Sequence, residues 1–152
     1  MAAHKRPLIL PPMYFAAVGV AMVLAKKFLT LFTLLEPPVS YLGALVLVGG
    51  LAIVIAGVVL FRKASTGLVP FDKATTVVTS GIFGHTRNPM YLGMTVSLTG
   101  VAIITGDLSA FLLLPVFPLI MHYRFILPEE QFMEQSLGRP YLEYRKRVRR
   151  WL

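Results

Sequence analysis

Apolar runs dominate the chain and alternate with shorter polar stretches. Residues 8–25 and 39–61 carry no charge over 18 and 23 positions. Residues 90–105 form a shorter apolar run, and residues 108–127 form a fourth that contains Pro115, Pro118, His122 and Arg124. As helices these runs would measure roughly 27, 34, 24 and 30 Å, close to the thickness of a hydrocarbon core. Lipid leaves no backbone polar group solvated, so all four are expected to be helical. Gly106 and Asp107 alone separate the last two runs, which predicts a tight antiparallel hairpin. The expected architecture is an all-α, polytopic membrane bundle of four transmembrane helices with amphipathic C-terminal helices on the cytoplasmic side, in a single domain over residues 1–152.

Composition narrows the picture. The chain has a mean hydropathy of +0.71 and 14% charged residues, which excludes disorder and is too apolar for an ordinary soluble domain. There is no cysteine, hence no disulfide, thiolate metal site or cysteine nucleophile. His4, His85 and His122 show no metal-ligand spacing, and no metal is expected. Lys5 and Arg6 precede the first run as in a signal peptide, but Leu24-Ala25-Lys26-Lys27 offers no convincing cleavage site, so this run is read as an uncleaved span.

Charge sets the orientation. Four spans place the amino terminus, the loop 62–89 and the tail 128–152 on one side. That side collects 13 of the 15 cations, and Lys26 and Lys27 alone lie opposite. The positive-inside rule then makes loop, tail and both termini cytoplasmic. The excess of 15 Lys and Arg over 7 Asp and Glu is therefore topology and attraction to lipid headgroups, not a nucleic-acid footprint.

The chemistry-bearing residues cluster in the two cytoplasmic segments. In the loop, Gly67, Pro70, Gly81 and Gly84 punctuate an irregular connection with Thr75, Thr76 and Thr79 at its centre. Asn88-Pro89 is a helix-start signal, a strong N-cap followed by a proline whose missing N–H costs nothing there. Beside Arg87 and Tyr91, that helix end either caps and pairs with lipid phosphate or receives a carboxylate or phosphate ligand. Leu127-Pro128-Glu129-Glu130 reads as another helix start. Its carboxylates either complement the dipole or hold a cationic or hydroxyl-bearing group. Arg124 either snorkels to the interface or pairs with an acid or a substrate anion, and His122 is either a satisfied interfacial residue or a base. In the tail a helix should stop at Gly138 and restart at Pro140. Tyr141, Tyr144, Val148 and Trp151 then share one face, with the remaining cations around it, as in an interfacial helix carrying aromatic anchors.

Four elements in order resemble one family: Thr79-Ser80-Gly81-Ile82-Phe83, Arg87-Asn88-Pro89-Met90-Tyr91-Leu92-Gly93, Glu129-Glu130, and the tail pattern from Gly138 through Tyr141, Tyr144 and Val148 to Arg150-Trp151. The family is the isoprenylcysteine carboxyl methyltransferase-like group of membrane methyltransferases, related to the phospholipid N-methyltransferases, and the resemblance covers about residues 62–152. It implies an S-adenosylmethionine site at the cytoplasmic mouth of the bundle, under the C-terminal segment, facing a lipid-accessible tunnel. Carried over by motif, Arg87, Asn88, Pro89 and Tyr91 would surround the polar end of the cofactor and Glu130 its ammonium or ribose hydroxyls. Gly81, Ile82 and His85 would line the approach, and Leu92 would meet the adenine. Asn88 replaces the histidine of the family's Arg-His-Pro form, so no titrating imidazole stands there.

The implied activity is methyl transfer to a lipophilic or amphiphilic acceptor, a carboxylate or amine of a prenylated or phospholipid-like molecule. Glu129, Arg124 and His122 are the candidates to orient the acceptor or take its proton. Two other readings stay open: an NADPH-dependent membrane reductase of steroid-reductase type, and a non-catalytic module whose basic tail binds lipid.

Overall fold

The computed structural model describes residues 9–63 and 77–152. The expectations for Gly67, Pro70, Thr75 and Thr76, and the cations Lys5, Arg6 and Lys73, lie outside the described residues.

The first helix, α1, runs Pro11–Phe28, three residues later than the apolar run itself. Pro11 and Pro12 explain the shift. They lack amide hydrogens and so belong in the first helical turn, and the helix can begin no earlier. A short 3₁₀ turn, Val39–Tyr41, leads into α2, Leu42–Lys63. The third helix, α3, covers Pro89–Thr105. After the hairpin come α4 (Leu108–Leu113), α5 (Val116–Met121), a π-helical turn over His122–Ile126, and α6 (Leu127–Leu137). Gly138, at φ 58°, ends α6, and α7 follows over Arg139–Arg147. No extended strand occurs among the described residues.

The expected helix start at Leu127 is corrected. Segments α4 to α6 form one continuous helix, Leu108–Leu137, and Ile126 before α6 is itself helical. The π turn lies immediately upstream of Pro128, which has no amide hydrogen to give to the carbonyl of Arg124. The wider turn carries the chain past that missing bond without ending the helix. Glu129 and Glu130 are thus mid-helix residues, not acids at a free helix end.

Two helices, Val39–Lys63 and Leu108–Leu137, are long and apolar enough to cross a membrane. Helices α1 and α3 are shorter, at 18 and 17 residues. The outward faces are apolar: Leu45, Val48 and Ile55 of α2 are each more than 60% exposed. The buried centre consists of Met22, Leu98, Ala102, Ala110, Phe117, Met121, Phe125 and Ile126, contributed by α1, α3 and the long helix.

Helices α2 and α3 are in direct backbone contact. Gly43, Gly50 and Gly57 lie seven residues apart: Gly43 faces Gly100, Gly50 faces Gly93 and Ser97, and Gly57 faces Met90. A Cβ on Gly93 would stand 2.7 Å from the Gly50 carbonyl, and one on Gly43 would stand 2.5 Å from that of Gly100. The Ser97 hydroxyl donates to the carbonyls of Gly93 (2.9 Å) and Leu47 (3.3 Å), so a polar group is satisfied inside the contact.

At the opposite end of the bundle, Gly106 takes a left-handed conformation (φ 66°) and Asp107 is fully buried. Its Oδ1 accepts from the Ser109 amide (2.9 Å), the Ser109 hydroxyl (2.5 Å) and the Leu31 amide (3.4 Å). The amides of Leu34 and Leu35 donate to the Gly106 carbonyl, and Lys26 caps the carbonyl of Thr105. These bonds tie the connection after α1 to the hairpin, and the hairpin itself is as expected.

Candidate active site

The site is built where the residues preceding α3 meet α6 and the tail. Gly81, at φ 59°, opens a single 3₁₀ turn, Gly81–Gly84; a Cβ there would meet Leu60 Cδ1 at 2.8 Å. The turn buries Phe83, whose ring lies 5.0 Å from that of Phe61. Pro89 takes the first position of α3 and is buried there. Asn88 occupies the N-cap position, but its side chain does not cap: Nδ2 donates to the carbonyl of Arg150 at 2.9 Å. The capping expectation therefore holds for the place and not for the bond. Asn88 is held by its neighbour, its amide donating to the Thr86 hydroxyl at 3.2 Å.

The centre is a buried carboxylate between two guanidinium groups. Arg87 Nη2 donates to Glu130 Oε1 at 2.8 Å. Arg150 Nε donates to the same oxygen at 2.9 Å, and Arg150 Nη2 donates to Oε2 at 2.8 Å. The Glu130 and Arg87 side chains are each 8% exposed and that of Arg150 is 29% exposed. Two positive charges and one negative leave the cluster at +1. One donor, Arg87 Nε, is buried with no hydrogen-bond partner among the described residues. Beside this cluster the buried Tyr91 hydroxyl donates to Glu129 Oε1 at 2.9 Å. Glu129 Oε2 takes no hydrogen bond among the described residues.

The tail closes over this cluster. Tyr141, Tyr144 and Val148 are buried together with Val77, Met133 and Leu137 around them, and the Tyr144 hydroxyl donates to the Phe83 carbonyl at 2.8 Å. Burial, reinforced by the Glu130 carboxylate, pushes the Tyr141 phenol up to about 12, and burial raises Tyr144 as well. Both phenols therefore remain neutral donors. The expected helical face is corrected in extent and in role. Helix α7 ends at Arg147, Val148 is extended (φ −119°, ψ 132°), and the tyrosines pack inward on the protein instead of standing free as lipid anchors. Trp151 packs on the main core. The cations Arg145, Lys146, Arg147 and Arg149 stay exposed.

Of the residues singled out in the sequence, Arg87, Asn88, Pro89, Tyr91, Glu129 and Glu130 come together here. Gly81 and Ile82 belong to the turn beneath them, and the Ile82 carbonyl accepts from the amides of His85 and Thr86. His85 is exposed and Leu92 is half-buried on α3. His122 and Arg124 do not join the hydrogen-bonded cluster. His122 meets the Tyr123 ring edge-on at 5.0 Å, and Arg124 is exposed with no hydrogen bond or ion pair among the described residues. Thr86 was not anticipated, and Arg150, although part of the tail pattern, was given no place in the site. For Arg150 the sequence held no separating signal: Arg149 stands beside it between the same apolar neighbours, Val148 and Trp151, and stays exposed.

A profile of the phospholipid methyltransferase family matches residues 39–139, about two thirds of the chain. No curated protein matches it. The matched span runs from the 3₁₀ turn before α2 to Arg139 at the start of α7 and contains Arg87, Tyr91, Glu129 and Glu130, while Tyr141, Tyr144 and Arg150 lie beyond it. The described residues are helical with two membrane-length helices, acids of one are bound to the arginine and tyrosine at the start of another helix, and the family profile covers most of them; the chain belongs to the phospholipid methyltransferase family of membrane methyltransferases.

Proposed function

We propose that the protein uses S-adenosylmethionine to methylate the carboxylate or amine of a lipophilic or amphiphilic acceptor, prenylated or phospholipid-like. In this reading four helices cross the bilayer and the Arg87–Glu130 cluster lies at the cytoplasmic mouth. The observation that carries it is the meeting of Glu129 and Glu130 with Arg87 and Tyr91 at the start of α3.

The residues present fit the polar end of such a donor, though not in the simplest way. Glu130 has already accepted three hydrogen bonds from two arginines. Two groups are left over. Arg87 Nε is a buried donor lacking an acceptor, suited to a carboxylate, and Glu129 Oε2 is an open acceptor, suited to an ammonium. Arg87 and Glu129 would therefore hold the amino-acid end, with Glu130 orienting Arg87. Asn88 and Pro89 shape the rim, Gly81, Ile82 and His85 line the approach, and Leu92 offers an apolar wall to the adenine.

When bound, S-adenosylmethionine supplies an electrophilic methyl group and a neutral leaving thioether. The chain's task is then mainly positioning, since holding two reactants in near-attack geometry lowers a barrier by roughly 7–11 kcal/mol. A carboxylate acceptor needs no base. For an amine acceptor, Glu129 is the placed carboxylate to take the proton. The buried tyrosines of the tail keep water from the cluster.

Calorimetric titration of the detergent-purified protein tests this. Saturable heat is expected with S-adenosylmethionine and none with NADPH, and Arg87→Ala and Glu130→Gln should each abolish the former. Unchanged affinity in both variants overturns the assignment, and binding of NADPH alone would favour a reductase.

The topology follows from charge. The side that holds the amino terminus, loop, tail and Arg124 collects 13 of the 15 cations if all four apolar helices cross, and α1 and α3, at about 27 and 26 Å, suffice for a thin or protein-buried crossing.

A further inference from the structure

We infer that Arg150 is a positioning residue for the methyl donor, and that the strap carrying it, residues 148–151, gates the site by changing its charge. The inference rests on the donor site proposed above and concerns a residue outside the matched span.

The strap grips the residues before α3 twice. Its backbone carbonyls accept from them: Arg149 from the Arg87 amide (3.0 Å), and Arg150 from Asn88 Nδ2 (2.9 Å) and the Thr86 hydroxyl (3.2 Å). Its side chain reaches across to Glu130 with a two-pronged contact. Val148 and Trp151, on either side, anchor the strap in the two apolar clusters. Arg150 is thus the joint between the tail, the start of α3 and α6.

Seating Arg150 alters the electrostatics at the site's centre. With Arg150 withdrawn, Glu130 and Arg87 form a neutral ion pair. With Arg150 in place the same group carries +1, at a carboxylate 7% exposed, next to the unpartnered Arg87 Nε. An uncompensated buried charge is costly, and a carboxylate arriving at Arg87 would relieve the cost. Of the three side chains Arg150 is the most exposed, so it is the one that can leave. Linkage then requires reciprocity: a donor carboxylate favours the seated strap, and a seated strap favours the donor by the same factor.

Calorimetry and amide hydrogen exchange on the full-length protein test this. Arg150→Gln should weaken S-adenosylmethionine binding about tenfold or more, the worth of one charge-assisted contact, and Arg150→Lys should weaken it less. The penalty should vanish for the donor analogue lacking its carboxylate. In the wild type, the donor should slow exchange of the Arg87 amide, which is bonded to Arg149, and Arg150→Gln should abolish that slowing. An equal penalty for both donors, or unchanged affinity alongside a lower melting temperature, would make Arg150 merely structural and overturn the inference. If Arg150→Gln fails to fold, Arg150→Lys carries the same comparison between donors. Absence of binding to the wild type would instead refute the donor site itself, and this inference with it.

Discussion

Glu129 and Glu130 are sequence neighbours with different partners, because adjacent positions on a helix point about 100° apart. Glu130 faces two arginines and Glu129 faces the Tyr91 hydroxyl. Tyr91→Phe should therefore act on Glu129 alone. It removes a hydrogen bond to a half-buried carboxylate, at a cost of about 1–3 kcal/mol in chemical unfolding. A bond donated to the charged form favours that form, so its loss should move the pH profile of methyl transfer to an amine acceptor toward higher pH. An unshifted profile would mean that Glu129 takes no proton. At this scale the sequence was informative wherever a residue stood out against its surroundings. Arg87 and Tyr91 flank the Asn88-Pro89 helix-start signal and the paired acids follow Pro128, so they could be singled out. Arg150 is one of six cations in the tail and shares its apolar flanks with the exposed Arg149, so nothing local distinguishes the one that pairs from the ones that are solvated.

At the scale of the element, the small-residue run of α2 was visible but its facing was not. Gly43, Gly50 and Gly57 meet α3, whereas a Cβ on Gly49 has nothing within 4 Å. Gly50→Ala should cost about 1–3 kcal/mol by forcing α2 and α3 apart. Gly49→Ala should be neutral or stabilise by up to about 1 kcal/mol through helix propensity alone. Thermal unfolding of the two variants in detergent separates the effects, and equal behaviour would argue against the close crossing. The long helix shows the reverse limit. Pro128 before two acids has the form of a helix start, but a π turn over His122–Ile126 carries the helix through. Local rules treat proline as a boundary because they cannot see whether neighbouring packing makes continuation cheaper than a break.

For the whole molecule, the cysteine-free chain allows a direct test of topology. Single cysteines in place of Ser80 and Thr30, both exposed, should react with an impermeant maleimide from opposite sides of the membrane, Ser80 from the cytoplasmic side. Labelling of both from one side would remove the four-span arrangement while leaving the family intact.

Local composition was enough for the features that depend on it: helical runs set by apolar length, a hairpin set by Gly106 and Asp107, an orientation expected from charge asymmetry, and a family resemblance carried by short motifs. Packing settled what depends on contacts between residues far apart along the chain. It chose which glycines touch, turned the tail's tyrosines inward, and brought Arg150 across 20 positions to Glu130 and 63 to Arg87. Those contacts rest on burial and desolvation, and these belong to the assembled site rather than to any one segment of the chain.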